Sequence, residues 1–360
     1  MPKKSISSLE LAALTQELQR VVPAKISQIY QQDQELWFQL HILGLGKELL
    51  RIIMGKWVCL TAKKDAPLHP SSFCMQLRKY LDGAFVKEIR QHDSERIMIL
   101  EVEGKEDYHL IIELFSKGNL ILADKNWKII TALQQQTWKD RTIKPGEKYL
   151  FPPAAKNWKT MSEKELGDIL QKSEKRNLVT SLATEIGLGG RYAEELCLRA
   201  AVNKDKIPTA LEKGEVENLH NQLKELLKLV EHPHGCSYPD DITPFPLLGK
   251  KPLKITATYS GALDTLHPFQ KTSPYQQKIN SLLRTIADQE ESILGLQEKI
   301  ITNKEKGELM YQKYAPLQKL LEIVQEMKKS KNWQEMGKEL AREKKIRKID
   351  LKNKKIILDL

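Results

Sequence analysis

Cysteine is scarce in this chain. Cys59, Cys74, Cys197 and Cys236 are the only four in 360 residues, and no two of them form a CxxC pair. That spacing suits neither a zinc ribbon nor a disulfide framework, and reduced thiols in a cytosolic protein account for it. Long apolar runs are missing too. No stretch approaches about 18 apolar residues, so no membrane-spanning helix is expected. The opening "MPKKSISSLELAALTQEL" has a basic lead but lacks the unbroken apolar centre of a signal peptide. Together these absences point to a cytoplasmic protein with no membrane partner. The signatures G-x-x-x-x-G-K-[ST], H-E-x-x-H and G-x-S-x-G are also absent, which removes the common NTPase, zincin and hydrolase readings. No catalytic residue, metal site or cofactor is called for, so a binding factor is expected rather than an enzyme.

What is present is positive charge, unevenly placed. The formal net charge is +11, which suits a polyanionic partner, nucleic acid first. Residues 328–360 hold twelve Lys/Arg against five Asp/Glu, or +7 of that total. The other 327 residues are only mildly basic, so any anion site there must be a local patch.

The pattern along the chain predicts an α+β fold. Leu9, Leu11, Leu14 and Leu18 recur near helical spacing, with Ser7 or Ser8 as cap. Four short extended runs follow, "KISQIY", "ELWFQLHIL", "KELLRIIM" and "KWVCLTA". After Pro70, "SSFCMQLRKYLDGA" predicts a second helix ended by Gly83. The runs "FVKEIRQ", "RIMILEVE", "YHLIIELF", "NLILAD" and "KIITALQ" then predict a β-meander. Helix, strands, helix, strands describes a lobe of two similar halves over residues 1–160. Residues 161–231 turn helical. Residues 232–275 are rich in Pro and Gly and return to short strands, "PFPLL" and "ITATYS", packed back on the lobe. From 276 to 345 an arm is expected, because Ile279, Ile286, Ile293 and Ile300 repeat every seven residues with Leu282 and Leu296 between them. Gly307 and Pro316 should loosen or kink it. Self-association through this seam is one way to cover it. Residues 346–360, "IRKIDLKNKKIILDL", read as the start of a strand pair that stops, as though the chain were incomplete there.

Several small motifs carry candidate chemistry. In "IGLGGRYAEEL", Gly187, Gly189 and Gly190 fit the turn of a helix-hairpin-helix, where backbone N–H groups at a helix start approach a phosphate and Arg191 adds charge. The bland alternative is a glycine-rich link between packed helices. In "SERIMILEV", Arg96 alternates with Met98, Leu100 and Val102, while Glu95 alternates with Ile97 and Ile99. The two side chains then face opposite ways, as the lip of a strand or as a contact for a phosphate or base. Lys117 sits in the hairpin turn "SKGN", solvated or meeting a phosphate. His232, His234 and Cys236 alternate, but no second cluster supports a metal. Pro2 invites comparison with formamidopyrimidine-type DNA glycosylases, whose N-terminal proline amine is the nucleophile. A catalytic glutamate follows there, whereas Lys3 and Lys4 follow here.

Taken in order, "SSLELAALTQELQ…KISQIYQ", "SSFCMQLRKYLDGAFVKEIRQHDSERIMILEV", "IIELFSKGNLILAD", "IKPGEKYLFPP", "LATEIGLGGRYAEELCLRA" and "GALDTLHP" resemble the NFACT family of ribosome quality-control factors. Some bacterial members are also known as fibronectin-binding proteins. The resemblance spans nearly the whole chain and looks archaeal in the brevity of its arm. It implies a glycosylase-like N-terminal lobe without that chemistry, a helix-hairpin-helix module, and a coiled-coil arm normally completed by a returning helix and a further RNA-binding domain. It also implies binding to tRNA and to a large ribosomal subunit holding stalled peptidyl-tRNA, with mRNA-independent C-terminal tailing of the nascent chain. The family's lobe carries an Asp-Arg pair for tRNA recognition. Glu95-Arg96 falls at that place, with glutamate for aspartate, so Arg96 transfers more directly than Glu95. A glycosylase-like enzyme using Pro2 and a coiled-coil scaffold or adhesin are the alternatives.

Overall fold

The computed structural model describes residues 3–64, 70–138, 140–153, 156–266, 274–330, 333, 346–350 and 355–358. Helix α1 (Ser8–Leu18) begins at Ser7, whose hydroxyl accepts from the Glu10 amide while the Glu10 carboxylate accepts from the Ser7 amide. This reciprocal cap satisfies two amides that a helix start leaves open. Strands β1 (Ala24–Gln32), β2 (Glu35–Ile42), β3 (Gly46–Ile53) and β4 (Trp57–Thr61) form an antiparallel meander. Helix α2 (Ser72–Leu81), capped by Ser71, is followed by Gly83 at φ +77°. A second meander then runs through β5 (Phe85–Gln91), β6 (Ile97–Glu103), β7 (Asp107–Glu113), β8 (Asn119–Asp124) and β9 (Ile129–Ala132).

The two meanders are one sheet of nine strands, in the order β4-β3-β2-β1-β5-β6-β7-β8-β9. They join where Ala24 pairs with Val86 and Lys25 with Phe85, and where Ile26 exchanges backbone bonds with Gly83 and Ala84. One face of each half contributes to a shared core containing Ile26, Phe38, Leu50, Met98, Leu100 and Leu110, with Leu11, Leu14 and Leu18 of α1. The other face of the second half is buried separately, Ile97 and Ile99 packing with Ile111, Ile121 and Tyr149. Alternation along β6 therefore divides its residues between two cores, as strand geometry requires. The strand begins at Ile97, so Arg96 stands just outside it. Its carbonyl still accepts from the Leu114 amide at 2.8 Å.

Short strands β10 (Gln136–Thr137) and β11 (Thr142–Ile143) pair with each other. Helices α3 (Glu163–Gln171), α4 (Leu178–Thr184), α5 (Gly190–Arg199) and α6 (Lys213–Glu231) follow. They bury Leu166, Leu182, Leu196, Leu219 and Leu223 against Leu9, Ala12 and Ala13 of α1. Helix α1 is thus shared between the sheet core and the helical core.

The return segment differs from the expected strands. "PFPLL" is not one, because Pro244 and Pro246 each lack the N–H a ladder needs. The strands are instead β12 (Gly235–Ser237), β13 (Ile242–Thr243) and β14 (Lys254–Thr256), in the order β13-β12-β14. Tyr259 begins a helix, α7 (Tyr259–Asp264). Residues 1–271 form one compact unit.

Residues 272–360 form a second unit. Helix α8 (Pro274–Gln312) runs straight through Gly307, and α9 (Tyr314–Ser330) follows it. The break falls at Lys313, ahead of Pro316, which cannot donate to the carbonyl of Gln312 four residues earlier. The seam residues Ile286, Ile293 and Ile300 are exposed by half or more. Most of the arm expected beyond residue 330 lies outside the described residues. Strands β15 (Ile346–Asp350) and β16 (Lys355–Leu358) pair antiparallel, as "IRKID…KIIL" suggested. No helix among the described residues is long and apolar enough to cross a membrane.

Candidate nucleic-acid interface

Three turns separated in sequence meet around the start of α1. The first is residues 92–96, closed by the His92 amide on the Ile97 carbonyl and the Glu95 amide on the His92 carbonyl, both at 2.9 Å. The second is residues 115–118, where Lys117 is exposed. The third is residues 185–189 between α4 and α5, with Gly187 at φ +84° and Gly189 at φ +77°. Left-handed backbone at these two positions makes glycine the natural choice.

Ser8 joins the first turn to the third. Its hydroxyl donates to the Gly187 carbonyl at 3.0 Å and accepts from the Trp158 indole at 3.2 Å. Its carbonyl accepts from Gln91 Nε2 at 2.9 Å, and the same amide nitrogen donates to the Glu95 carbonyl at 2.7 Å. Ser94 adds a bond from its hydroxyl to the Lys156 carbonyl at 3.2 Å. The His92 ring stacks on Phe151, with centroids 3.7 Å apart. The turn bearing Glu95 and Arg96 is therefore held on three sides.

The second turn closes the group. A Cβ on Gly118 would stand 2.1 Å from the Gly55 nitrogen, so the two backbones touch where only glycine fits. Gly55 lies in the β3–β4 turn, and the neighbouring Lys56 carbonyl accepts from the Ile6 amide at 3.1 Å, one residue before the α1 cap. Glu95, Arg96, Lys117, Gly187 and Gly189 are thus assembled through contacts that converge on residues 6–8.

Charge at this end is partly desolvated. Burial lowers the Arg96 guanidinium from its ordinary value, with Glu95 opposing the shift. Glu95 is therefore the charge that acts on the half-buried Arg96 cation. Burial pushes the Lys159 ammonium down to about 8 against the attraction of Asp93. Burial likewise lowers His92.

Gly190 is exposed, and a Cβ there would meet nothing within 4 Å. Its amide and that of Arg191 open α5 without an acceptor among the described residues, as a phosphate-facing helix start requires. Arg191 itself is engaged differently from the free charge expected of it. Its guanidinium reaches Asp240 at 2.8 Å and Asp241 at 3.1 Å, clamping the return segment to α5.

Behind this surface lies a buried ionic network. Lys3 Nζ donates to Glu10 Oε1 at 2.6 Å, Asp241 Oδ1 at 2.7 Å and the Ile242 carbonyl at 2.8 Å. Burial opposes the Lys3 charge, but Glu10 and Asp241 outweigh it and raise the ammonium above its ordinary value. The Tyr192 hydroxyl donates to Glu10 Oε1 at 2.8 Å. Sequence reasoning missed Ser8 as a link, Gln91, Lys159 and the role of Lys3. The one local signal was a glutamine ending an otherwise strand-like run, "FVKEIRQ". Pro2 lies outside the described residues. His232, His234 and Cys236 form no metal-holding group among the described residues.

Comparison with known proteins adds the following. Residues 7–357 match the family of NFACT N-terminal and middle domains. The chain is 27% identical over 373 aligned positions to the archaeal Rqc2 homolog aRqcH of Methanocaldococcus jannaschii, covering 95% of this chain and 55% of that protein. It is 28% identical over 218 positions to the Rqc2 homolog RqcH of Bacillus subtilis, covering 55% of this chain and 38% of that protein. The chain therefore spans about half the length of the archaeal relative. The solved N-terminal part of the fibronectin/fibrinogen-binding protein from Streptococcus suis aligns with a TM-score of 0.60 and 26% identity, over 72% of this chain and 98% of that one.

Proposed function

The chain belongs to the NFACT family, and from that premise we propose that it is a ribosome quality-control factor whose N-terminal unit grips tRNA. In this reading it acts on a large ribosomal subunit obstructed by peptidyl-tRNA and supports mRNA-independent C-terminal tailing of the nascent chain. The names of the archaeal and Bacillus subtilis relatives support the general role. The observation that carries the tRNA contact is the convergence of Arg96, Lys117 and the Gly187–Gly190 turn at the start of α1. Such a surface offers one half-buried guanidinium, one exposed lysine and, among the described residues, helix-start amides without an acceptor, which are phosphate-recognising groups. Glu95 stands beside Arg96 as the acidic member of the pair. Affinity should fall steeply with salt, because phosphate contacts release counterions.

The test is tRNA binding by Arg96→Ala beside a surface control, Lys213→Ala at the exposed start of α6. Arg96→Ala should weaken binding by about 1.5–3 kcal/mol, the range for a hydrogen bond to a charged group, with an unchanged thermal melt. Equal binding by the two variants would remove Arg96 from the interface. Co-sedimentation with purified large ribosomal subunits, with and without tRNA, tests the wider role.

The glycosylase alternative finds no support in the residues after Pro2, since Lys3 is committed to Glu10 and Asp241. Absence of a borohydride-trapped adduct on damaged duplex DNA is the expected result. A second reading, adhesion to matrix protein, is favoured by the similarity to the Streptococcus suis structure. Binding to immobilised fibronectin at physiological salt tests it.

A further inference from the structure

A sheet edge exposes unpaired backbone groups, and proteins ordinarily cover it. Both edges of the nine-stranded sheet are covered here. Along β4, α7 packs against the strand and the Ser260 hydroxyl accepts from the Leu60 amide at 2.6 Å. Along β9, the Ile129 amide donates to the Glu147 carbonyl and the Gly146 amide to the Ile129 carbonyl, both at 2.8 Å. The three-stranded sheet differs. Strand β14 pairs with β12 on one side, and no strand among the described residues pairs with its other side.

The open strand also presents side chains that a solvated edge does not need. Leu253 is 73% exposed and Ile255 is 59% exposed. Ile255 lies in β14, and Leu253 lies in the bend that leads into it. Lys250, Lys251 and Lys254 are exposed around them. Lys250 lies within electrostatic reach of Asp240, which leaves Lys251 and Lys254 as the cations without that neighbour.

The inner side of β14 is rigid. A Cβ on Gly235 of β12 would stand 2.0 Å from Thr256 Oγ1 and 2.4 Å from the Ala262 Cβ of α7, so strand, strand and helix are in close contact. Thr256 Oγ1 further bonds the Gly235 and Thr258 carbonyls at 3.1 and 3.0 Å. A strand held this firmly on one side is ordered in advance for a strand added on the other, and order in advance reduces the entropy lost on binding.

We propose that the outer edge of β14 docks an extended acidic segment of a partner protein, which adds to β13-β12-β14 as a fourth strand. The open edge calls for an extended backbone, the exposed Leu253 and Ile255 call for apolar residues in it, and the exposed Lys251 and Lys254 call for acidic ones. This site is independent of the tRNA-binding surface, and its test contains no nucleic acid.

The probe is a fluorescein-labelled eight-residue peptide alternating glutamate and valine, titrated with the full chain and followed by anisotropy at low salt. Saturable binding is expected. It should weaken at least tenfold in Leu253→Asp/Ile255→Asp and in Lys251→Glu/Lys254→Glu, and stay unchanged in Arg96→Ala. A lysine–valine peptide should bind the Lys251→Glu/Lys254→Glu protein better than the parent. All four substituted residues are exposed, and far-UV circular dichroism verifies the fold of each variant. Failure of the parent to saturate at millimolar protein would overturn the proposal, as would equal affinity of parent and variants. Two further results would also overturn it by assigning the edge elsewhere. One is self-association of the parent, abolished by Leu253→Asp/Ile255→Asp in sedimentation, which makes a second copy the occupant. The other is loss of tRNA binding, but not of peptide binding, in Lys251→Glu/Lys254→Glu.

Discussion

Helices α1 and α8 both carry aliphatic residues at helical spacing, yet nine of the eleven residues of α1 are buried while Ile286 of α8 is 50% exposed. The difference lies in what each helix meets. Leu11, Leu14 and Leu18 pack into the core of the sheet, whereas Leu9, Ala12 and Ala13 pack against α3–α6. Helix α1 is therefore covered on most sides, and its first turn carries the links among the three turns of the candidate interface. In helix α8 the heptad residues Ile286, Ile293 and Ile300 are exposed by half or more among the described residues. Periodicity identifies both helices, but only tertiary contact separates a central strut from an arm.

The sharpest way to break that contrast is to remove a charge from the enclosed helix. Lys3 and Glu10 have side chains only 4% and 3% exposed. Glu10→Ala leaves the Lys3 ammonium with Asp241 and the Ile242 carbonyl and should cost about 3–5 kcal/mol, as breaking a buried pair does. It also removes the reciprocal cap of α1. A urea melt of the full chain measures the loss, and a change under about 1 kcal/mol, the scale of an exposed pair, would mean the network is solvated.

Leu9→Ala tests the same contrast through packing. Leu9 is fully buried, and truncation should destabilise residues 1–271 by about 2–5 kcal/mol. Ile286→Ala in α8 should shift the same transition by no more than about 0.5 kcal/mol, as surface substitutions do. Comparable shifts for the two would erase the distinction between strut and arm.

Much of the fold was legible because its signals are local. Leucines at helical spacing behind Ser7, two runs of short alternating strands, and Gly83 after "RKYLD" all specify structure within a few residues. The candidate interface was legible only in pieces. Arg96, Lys117 and the glycine turn were identified separately, but their assembly depends on bonds between residues distant in sequence. Gln91 reaches Ser8, and Ser8 reaches Gly187, and no spacing rule encodes either contact. Arg191 shows the same limit in reverse. A helix-start arginine suggested a phosphate contact, while its carboxylate partners lie about fifty residues later, at Asp240 and Asp241. Prolines kept "PFPLL" out of the ladder, while the break expected near Pro316 falls three residues ahead of it, at Lys313.

A pH-dependent test lies beside the candidate interface. Burial holds the Lys159 ammonium at about 8, while in the unfolded chain a lysine titrates at about 10.4. Between those values the unfolded state binds more protons than the folded state, so the Lys159 contribution makes stability rise with pH across that window. Below pH 8 the charged ammonium is retained in both states, and its desolvation works fully against folding. Replacing it by an uncharged side chain of similar length removes that opposition. Lys159→Met should therefore be more stable than the parent at pH 7, and the gap should narrow steadily from pH 8 to 10.5. Paired urea melts across that range measure it. A gap that stays constant, or that widens with pH, would mean Lys159 is as solvated as the lysines of the open surface, and the 92–96 turn less enclosed than its bonds to Ser8 and Lys156 require.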